Sequence, residues 1–410
     1  MLIINALLID ADTQKKGALR IKDNTIEAVG DLAPRAGEEV FDARGMWLLP
    51  GMVDLCFHLR DPGHKRIEAI DISASSALRG GITTILAAPD TTPSIDNETV
   101  AEYVLTKAAA ANGARILISG EIAKENRLNN LAKLFAVGIS AIEGASSLDG
   151  NILRRAFEYA LMADKPAFIR CQNGALAGNG VIHDGECAAR LGLPAIPDYA
   201  ESSEAARVAE LSDAIGAKLV IEAISAARTL NAASLYKGDR LWLQTLLPHL
   251  LLTDDACAGF DNACKLDPPL RSAQDREALI AGVKSGAVAV VSSGHFPQDE
   301  SSRDRPFELA SAGVDIADIF LSLAYTELVA AGKMAIGEFV RAASLNPARI
   351  LGEPCGALRA GLRADLVVFD PNRTIEVKTR DGVAKSFWSG KELLGGVAAA
   401  FVAGKLRFSV

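Results

Sequence analysis

The chain alternates short apolar runs with alanine-rich stretches through most of its length. The runs recur about one strand-and-helix unit apart, which is typical of parallel strands joined by crossover helices. They span residues 52–59, 81–87, 115–119, 138–142, 167–171, 218–224, 241–246 and 288–292. Eight such units predict an α/β fold, a (β/α)8 TIM-like barrel, whose functional site lies at the carboxyl ends of the strands.

Both ends of the chain have a different pattern, in which short alternating segments are separated by Asp, Asn, Gly and Pro. This pattern predicts antiparallel strands. The segments span residues 2–9, 17–21, 25–29, 365–369, 399–403 and 406–410. We expect the two termini to build one small β-sandwich, from residues 1–51 and 355–410, with residues 52–354 forming the barrel.

Composition narrows the classes of function. The formal net charge is -8 over 410 residues, which argues against nucleic acid or an anionic membrane as a ligand. Neither a leader nor an apolar run near the ~20 residues of a membrane span is present, so we expect a cytoplasmic protein. The six cysteines form no C-x-x-C pair and are expected to be buried thiols, with Cys56 set apart because it lies in a motif.

That motif ends the first barrel strand, at residues 51–63. With a side-chain period of two, Asp54, Cys56, His58 and Arg60 lie on one face, which we expect to point into the barrel mouth. A second histidine in place of Cys56 would give a His-x-His pair, which suits a divalent metal that activates water.

With this motif, the chain resembles the dihydroorotase branch of the amidohydrolase superfamily, in which the strand reads Asp-x-His-x-His-x-Arg. The similarity covers nearly the whole chain. Further matching stretches are residues 80–84, 173–197, 265–271, 346–352 and 361–368. The resemblance implies a metal-dependent barrel that hydrolyses cyclic amide C–N bonds in pyrimidine biosynthesis.

Four positions that carry metal-binding or proton-transfer groups in the family are changed in this chain. Cys56 replaces the first histidine, Arg170 and Ala223 replace two others, and Gly294 replaces the aspartate of an Asp-His pair. A guanidinium stays protonated and cannot bind a metal, and neither alanine nor glycine has a side-chain donor atom. The comparison predicts no catalytic residue at these positions.

Cys56, His58, Asp149 and His295 remain as the alternative ligands, for one zinc ion. Arg170 opposes such a site. A unit charge about 4 Å from a divalent cation costs roughly 8 kcal/mol at an effective dielectric near 20, against a structural zinc affinity of ~10–16 kcal/mol. We therefore expect no metal, and expect Arg170 to pair with Asp149 or Asp90 or, alternatively, to fold back to the rim.

Of the three substrate-binding positions that the resemblance implies, one keeps the family's residue and two do not. Arg60 matches the family arginine that binds the substrate carboxylate, a role suited to a bidentate fork. Asp90 and Asp267 stand where the family has asparagines, and their charges repel a carboxylate. We therefore regard all three as a vestigial substrate site. His249 matches a family histidine, but its environment of leucines favours a packed, hydrogen-bonded residue.

Two hypotheses follow. The chain is most similar to inactive dihydroorotase homologues, or pseudoenzymes, that associate with the catalytic chain of aspartate carbamoyltransferase. That resemblance implies an assembly role in an oligomer without a cofactor. The alternative is an active cyclic-amide hydrolase, a dihydroorotase or a related amidohydrolase, with a remodelled metal site. An assembly role fits best, since the matching stretches outside the barrel mouth are intact.

Overall fold

The computed structural model describes residues 1–236 and 238–410. The strands are β1 (Leu2–Ile9), β2 (Gln14–Lys22), β3 (Thr25–Gly30), β4 (Val40–Asp42), β5 (Trp47–Pro50), β6 (Met52–Phe57), β7 (Ile82–Ala87), β8 (Arg115–Glu121), β9 (Ala123–Lys124), β10 (Arg127–Leu128), β11 (Ala141–Ala145), β12 (Ala167–Arg170), β13 (Ile182–His183), β14 (Ala195–Ile196), β15 (Leu219–Glu222), β16 (Leu241–Leu246), β17 (Val290–Ser292), β18 (Leu366–Glu376), β19 (Glu392–Val402) and β20 (Lys405–Ser409).

The α-helices are α1 (Ile70–Arg79), α2 (Glu98–Ala110), α3 (Leu131–Val137), α4 (Gly150–Met162), α5 (Gly174–Ala177), α6 (Glu186–Leu191), α7 (Tyr199–Ile215), α8 (Ala227–Ala233), α9 (Leu247–Leu251), α10 (Ala273–Ser285), α11 (Glu300–Arg303), α12 (Phe320–Ala324), α13 (Ile336–Val340) and α14 (Asn346–Leu351). Short 3₁₀ segments span Asp254–Cys257, Asn262–Cys264 and Ala317–Ile319, and π-helical segments span Tyr325–Ala330 and Arg341–Leu345.

The predicted barrel is confirmed. Eight parallel strands run in the order β6, β7, β8, β11, β12, β15, β16 and β17. The side chains of β6 and β7 are buried along their whole length, as expected for strands covered on both faces. The fourth strand begins at Ala141 rather than at residue 138, because Gly138 ends α3 in the left-handed conformation with a φ of 109°.

The first and last barrel strands meet largely through side chains. The Asp54 carboxylate accepts the Ser293 N–H at 3.1 Å and the Cys56 N–H at 3.2 Å, and it also accepts the Ser293 hydroxyl. Just beyond this point the His58 N–H donates to the His295 carbonyl at 2.9 Å. Asp54 therefore closes the barrel seam, instead of pointing into the mouth with Cys56 and His58 as expected.

The strands of both termini form one sheet, in the order β20, β19, β18, β5, β1, β2 and β3, with β4 paired to β1. Strand β18 pairs antiparallel with β5, so that Leu366 lies opposite Pro50. Buried side chains from both halves of the sheet, among them Ile3, Leu48 and Phe401, pack into a core separate from that of the barrel. The prediction that the two termini build one unit is confirmed.

The connection between β18 and β19 reaches from this sheet to the barrel mouth. Arg380 donates to the carboxylates of Glu68 and, at 3.0 Å, Asp315. The Ala384 N–H donates to the Gln298 carbonyl at 2.8 Å. The terminal sheet thereby supports the loop that follows the eighth barrel strand.

The cysteines are buried, as expected, and none of the six is in a disulfide. No helix in residues 1–236 and 238–410 is both long enough and apolar enough to cross a membrane.

Candidate functional site

The barrel mouth contains two cavities that share one wall. The larger, of about 370 Å³, is lined by Cys56, His58 and Asp267 among others. The smaller, of about 180 Å³, is lined by acidic side chains, including Glu143. Arg170 lines both, so its side chain lies inside the mouth, between the two spaces.

On one side of the mouth, a thiol, an imidazole and a carboxylate lie in sequence. The Cys56 Sγ is 3.9 Å from the His58 Nε2, and the His58 Nδ1 is 2.9 Å from an Asp90 carboxylate oxygen. Burial opposes protonation of the imidazole, but the Asp90 charge outweighs it and raises the pKa of His58. Burial and the neighbouring Glu222 carboxylate hold the pKa of the Cys56 thiol well above its ordinary value. Asp90 therefore favours the protonated form of His58, and burial favours the neutral thiol of Cys56.

Arg170, the last residue of β12, pairs with Asp267 at an Nη2–Oδ1 distance of 2.7 Å. Its Nε and Nη2 form no aligned hydrogen bond with the described residues, so the contact is one of charge. The expected pairing with Asp149 or Asp90 is wrong, and so is the alternative that Arg170 folds back to the rim. The physical reason is that both carboxylates are already engaged: Asp90 contacts His58, and Asp149 accepts the Asn151 N–H at 2.8 Å as the N-cap of α4.

Two acids of the mouth, one half-buried and one buried, were not among the residues predicted from the sequence. The half-buried Glu143 lies on β11, and the buried Glu222 is the last residue of β15. Desolvation raises the pKa of both carboxyl groups, the Glu222 charge adds to the rise for Glu143, the Asp90 charge adds to the rise for both, and the Arg170 charge acts in the opposite direction. A signal was present, because each is an acid within an otherwise apolar strand, near its carboxyl end.

The positions that lack donor atoms are filled by packing. Cys56 and Ala223 contact Leu246 in a small apolar cluster at the mouth. Gly294 has a φ of 66°, and a Cβ atom there would lie 2.8 Å from a Leu246 methyl group. An aspartate at residue 294 would therefore strain the backbone and displace Leu246.

The four alternative ligands are not brought together. His295 is fully buried, with its Nε2 3.0 Å from a Glu68 oxygen, and its Nδ1 accepts the Ala317 N–H at 3.2 Å. Asp149 is exposed and caps α4. Across residues 1–236 and 238–410, no group of three or more His, Cys, Asp and Glu side chains is arranged to hold a metal ion. The residues of this mouth do not fit the metal that the family fold implies.

Arg60 keeps a position consistent with anion binding. The residue is 7% exposed, its guanidinium lies 4.7 Å from the centre of the Phe296 ring, and its Nε has no hydrogen-bond partner among the described residues. Burial lowers its pKa. The other two predicted substrate positions are already paired, Asp90 with His58 and Asp267 with Arg170. His249 is buried and its Nε2 lies 3.0 Å from the Pro268 carbonyl, in keeping with a packing role.

Residues 47–406 match the model of the amidohydrolase family. Among relatives, a dihydroorotase of Caldanaerobacter subterraneus subsp. tengcongensis is 32% identical over 419 residues, covering 100% of this chain and 97% of the relative. A dihydroorotase of Pelotomaculum thermopropionicum is 34% identical, covering 86% of this chain and 84% of the relative.

Solved structures share the fold. A D-hydantoinase (dihydropyrimidinase) from Thermus sp. superposes with a TM-score of 0.84 at 24% identity, covering 100% of this chain and 96% of that one. An L-hydantoinase from Arthrobacter aurescens gives 0.86 at 20% identity, covering 99% and 95%.

Proposed function

Because the chain belongs to the amidohydrolase family as a dihydroorotase-like member, we propose that it has lost metal-dependent hydrolysis and acts as a structural partner of a pyrimidine-biosynthesis enzyme. One observation carries the proposal: the Arg170 guanidinium lies inside the mouth, between the two cavities. A fixed positive charge there opposes a divalent cation, and in the part of the chain that the structure describes no set of ligands offsets that cost.

The groups that the resemblance assigns to proton transfer are also changed or engaged elsewhere. Hydrolysis needs a base within about 2.6–3.2 Å of the attacking water or one water further away. Gly294 has no side chain at the position of the family's aspartate, and His295 is tied to Glu68 and the backbone. The Asp149 carboxylate is held by N–H groups of α4. We therefore infer that the metal and the family's base at residue 294 were lost together.

For the partner, we propose the catalytic chain of aspartate carbamoyltransferase, in an oligomeric assembly. The support is the resemblance to homologues with that role, together with the matching stretches outside the mouth. An assembly role requires the fold and its outer surface, and it tolerates loss of chemistry inside the barrel.

Two measurements test the proposal. Metal analysis of the purified protein should find no stoichiometric zinc, and a dihydroorotate hydrolysis assay should show no turnover with or without added Zn²⁺. Stoichiometric metal together with turnover would overturn the loss of function. For the partner, the two chains should co-migrate in size-exclusion chromatography at micromolar concentration, and separate migration would remove that part.

A second candidate is an amidohydrolase with a remodelled site. It is favoured by the order of Cys56, His58 and Asp90 beside a cavity, because a nucleophile, a base and an orienting acid need such an order. The raised pKa of the Cys56 thiol opposes it. Hydrolysis of a cyclic amide by the wild-type protein that is lost in Cys56→Ser would support this candidate over the first.

A further inference from the structure

A mouth that does not fit a metal needs another source of positive charge for its acids. Glu143 and Glu222 line one cavity with Asp90, and burial raises the pKa of the two glutamates. In a metal-dependent barrel a cation offsets such charges. Here the cation that borders the same cavity is Arg170.

We propose that Arg170 is the built-in counter-ion of Glu143 and Glu222, and that the charges of these two acids destabilise the barrel when the guanidinium is removed. The proposal rests on the metal-free mouth proposed above and goes beyond it, because it assigns the cation's electrostatic role to one side chain. Its test measures stability alone, and hydrolysis by the wild-type protein tests the proposed function separately.

Strand register explains why these side chains meet. Arg170 of β12 lies directly opposite Glu222 of β15, and in a parallel sheet opposite residues project on the same face. On the other side of β12, Glu143 of β11 lies opposite Phe168, two residues before Arg170 and so on the same face. The guanidinium is therefore flanked by an acid from each neighbouring strand.

The ion pair with Asp267 neutralises the Arg170 charge only in part. Its partner Asp267 is 63% exposed in its side chain, where water screens the pair. The Nε and Nη2 atoms make no aligned hydrogen bond among the described residues, although they are shielded from water. Two guanidinium nitrogens that are shielded from water and form no hydrogen bond are costly unless nearby negative charge stabilises them, and we infer that Glu143 and Glu222 add to the charge that Asp267 supplies.

The experiment compares the melting temperatures of Arg170→Met, which removes the charge at similar length, with those of Arg228→Met. Arg228 is the matched control because it pairs with Asp198 at 2.9 Å at the surface, with 59% of its side chain exposed. We expect Arg170→Met to lower the melting temperature by roughly 2–4 °C or more, and Arg228→Met to change it by less than about 1 °C.

One further readout separates a counter-ion from a merely packed side chain. Adding Glu222→Gln to Arg170→Met should restore at least half of the lost melting temperature, because one of the two uncompensated acidic charges is removed.

If Glu222→Gln does not stabilise the Arg170→Met protein, the proposal is wrong. If Arg170→Met does not fold, the counter-ion role is tested instead by the folding of Arg170→Lys and of the double variant Arg170→Met/Glu222→Gln. Lysine keeps the charge and should fold, and the double variant should be soluble. Failure of both would also overturn the counter-ion role.

Discussion

Replacing Asp54 by alanine tests how the barrel is closed between its first and eighth strands. The carboxylate accepts the N–H groups of Ser293 and Cys56 and the Ser293 hydroxyl, in a position that is 1% exposed. The Leu55 N–H also donates to the Ser292 hydroxyl at 3.1 Å, and the two backbones form an isolated bridge at Phe57 and His295. Loss of the carboxylate would leave three donors without an acceptor, and water does not reach them.

The magnitude follows from these contacts. A hydrogen bond to a charged group contributes about 1.5–3 kcal/mol, so three bonds would sum to roughly 4.5–9 kcal/mol. Burial raises the pKa of Asp54, which means that its ionised form is itself penalised and part of that sum is offset. We therefore expect Asp54→Ala to reduce the free energy of unfolding by about 3–5 kcal/mol.

The assay is urea unfolding at pH 7, with the free energy extrapolated linearly to water. Asp149→Ala is the matched control, because Asp149 also accepts two N–H groups but does so as an exposed helix cap. Loss of such a cap costs about 1 kcal/mol. A change for Asp54→Ala no larger than that for Asp149→Ala would refute the assignment of the seam to this side chain.

Three further outcomes are expected. The pKa of Glu222 is raised in the folded chain, so its carboxyl group contributes to stability below its unfolded-state pKa and loses that contribution as the pH rises through its folded-state pKa. Glu222→Gln should therefore gain stability relative to the wild type as the pH increases from 4 to 8, measured by thermal unfolding. A pH-independent difference would contradict this. Gly294→Asp should cost about 1–3 kcal/mol, because φ is 66° and Leu246 blocks the new Cβ, and it should bind no zinc in metal analysis; a stable zinc-bound variant would contradict it. Glu201→Gln should cost about 2–4 kcal/mol in urea unfolding, because both oxygens accept bonds near Ser225 and an amide would turn a donor toward donors; an unchanged midpoint would exclude that network.

The sequence was sufficient for the architecture, because buried parallel strands leave continuous apolar runs with helices between them. The missing donors were also visible, since Ala223 and Gly294 have no side-chain ligand atoms in any conformation. Contacts between distant segments were not visible in the sequence. The pairing of Arg170 with Asp267 depends on which carboxylates are already engaged, and a single sequence does not contain that competition.

Glu143 and Glu222 illustrate the same limit. A lone acid near the end of an apolar strand has the same sequence pattern whether it lies in water or in a closed mouth. Strand register decides between the two, and register follows from the packing of the whole barrel. Asp54 was placed on the correct strand but in the wrong environment, because irregular pairing of β6 turns it toward the seam.

The pairing of Leu366 with Pro50 places the order of synthesis in conflict with the order of assembly. Strands β1 to β5 leave the ribosome first, yet the strand that completes their sheet follows the entire barrel. Until Leu366–Glu376 emerges, β5 is an open edge that can pair with the wrong chain. Nascent or truncated chains that end before residue 366 are therefore the species in which we expect aggregation to begin.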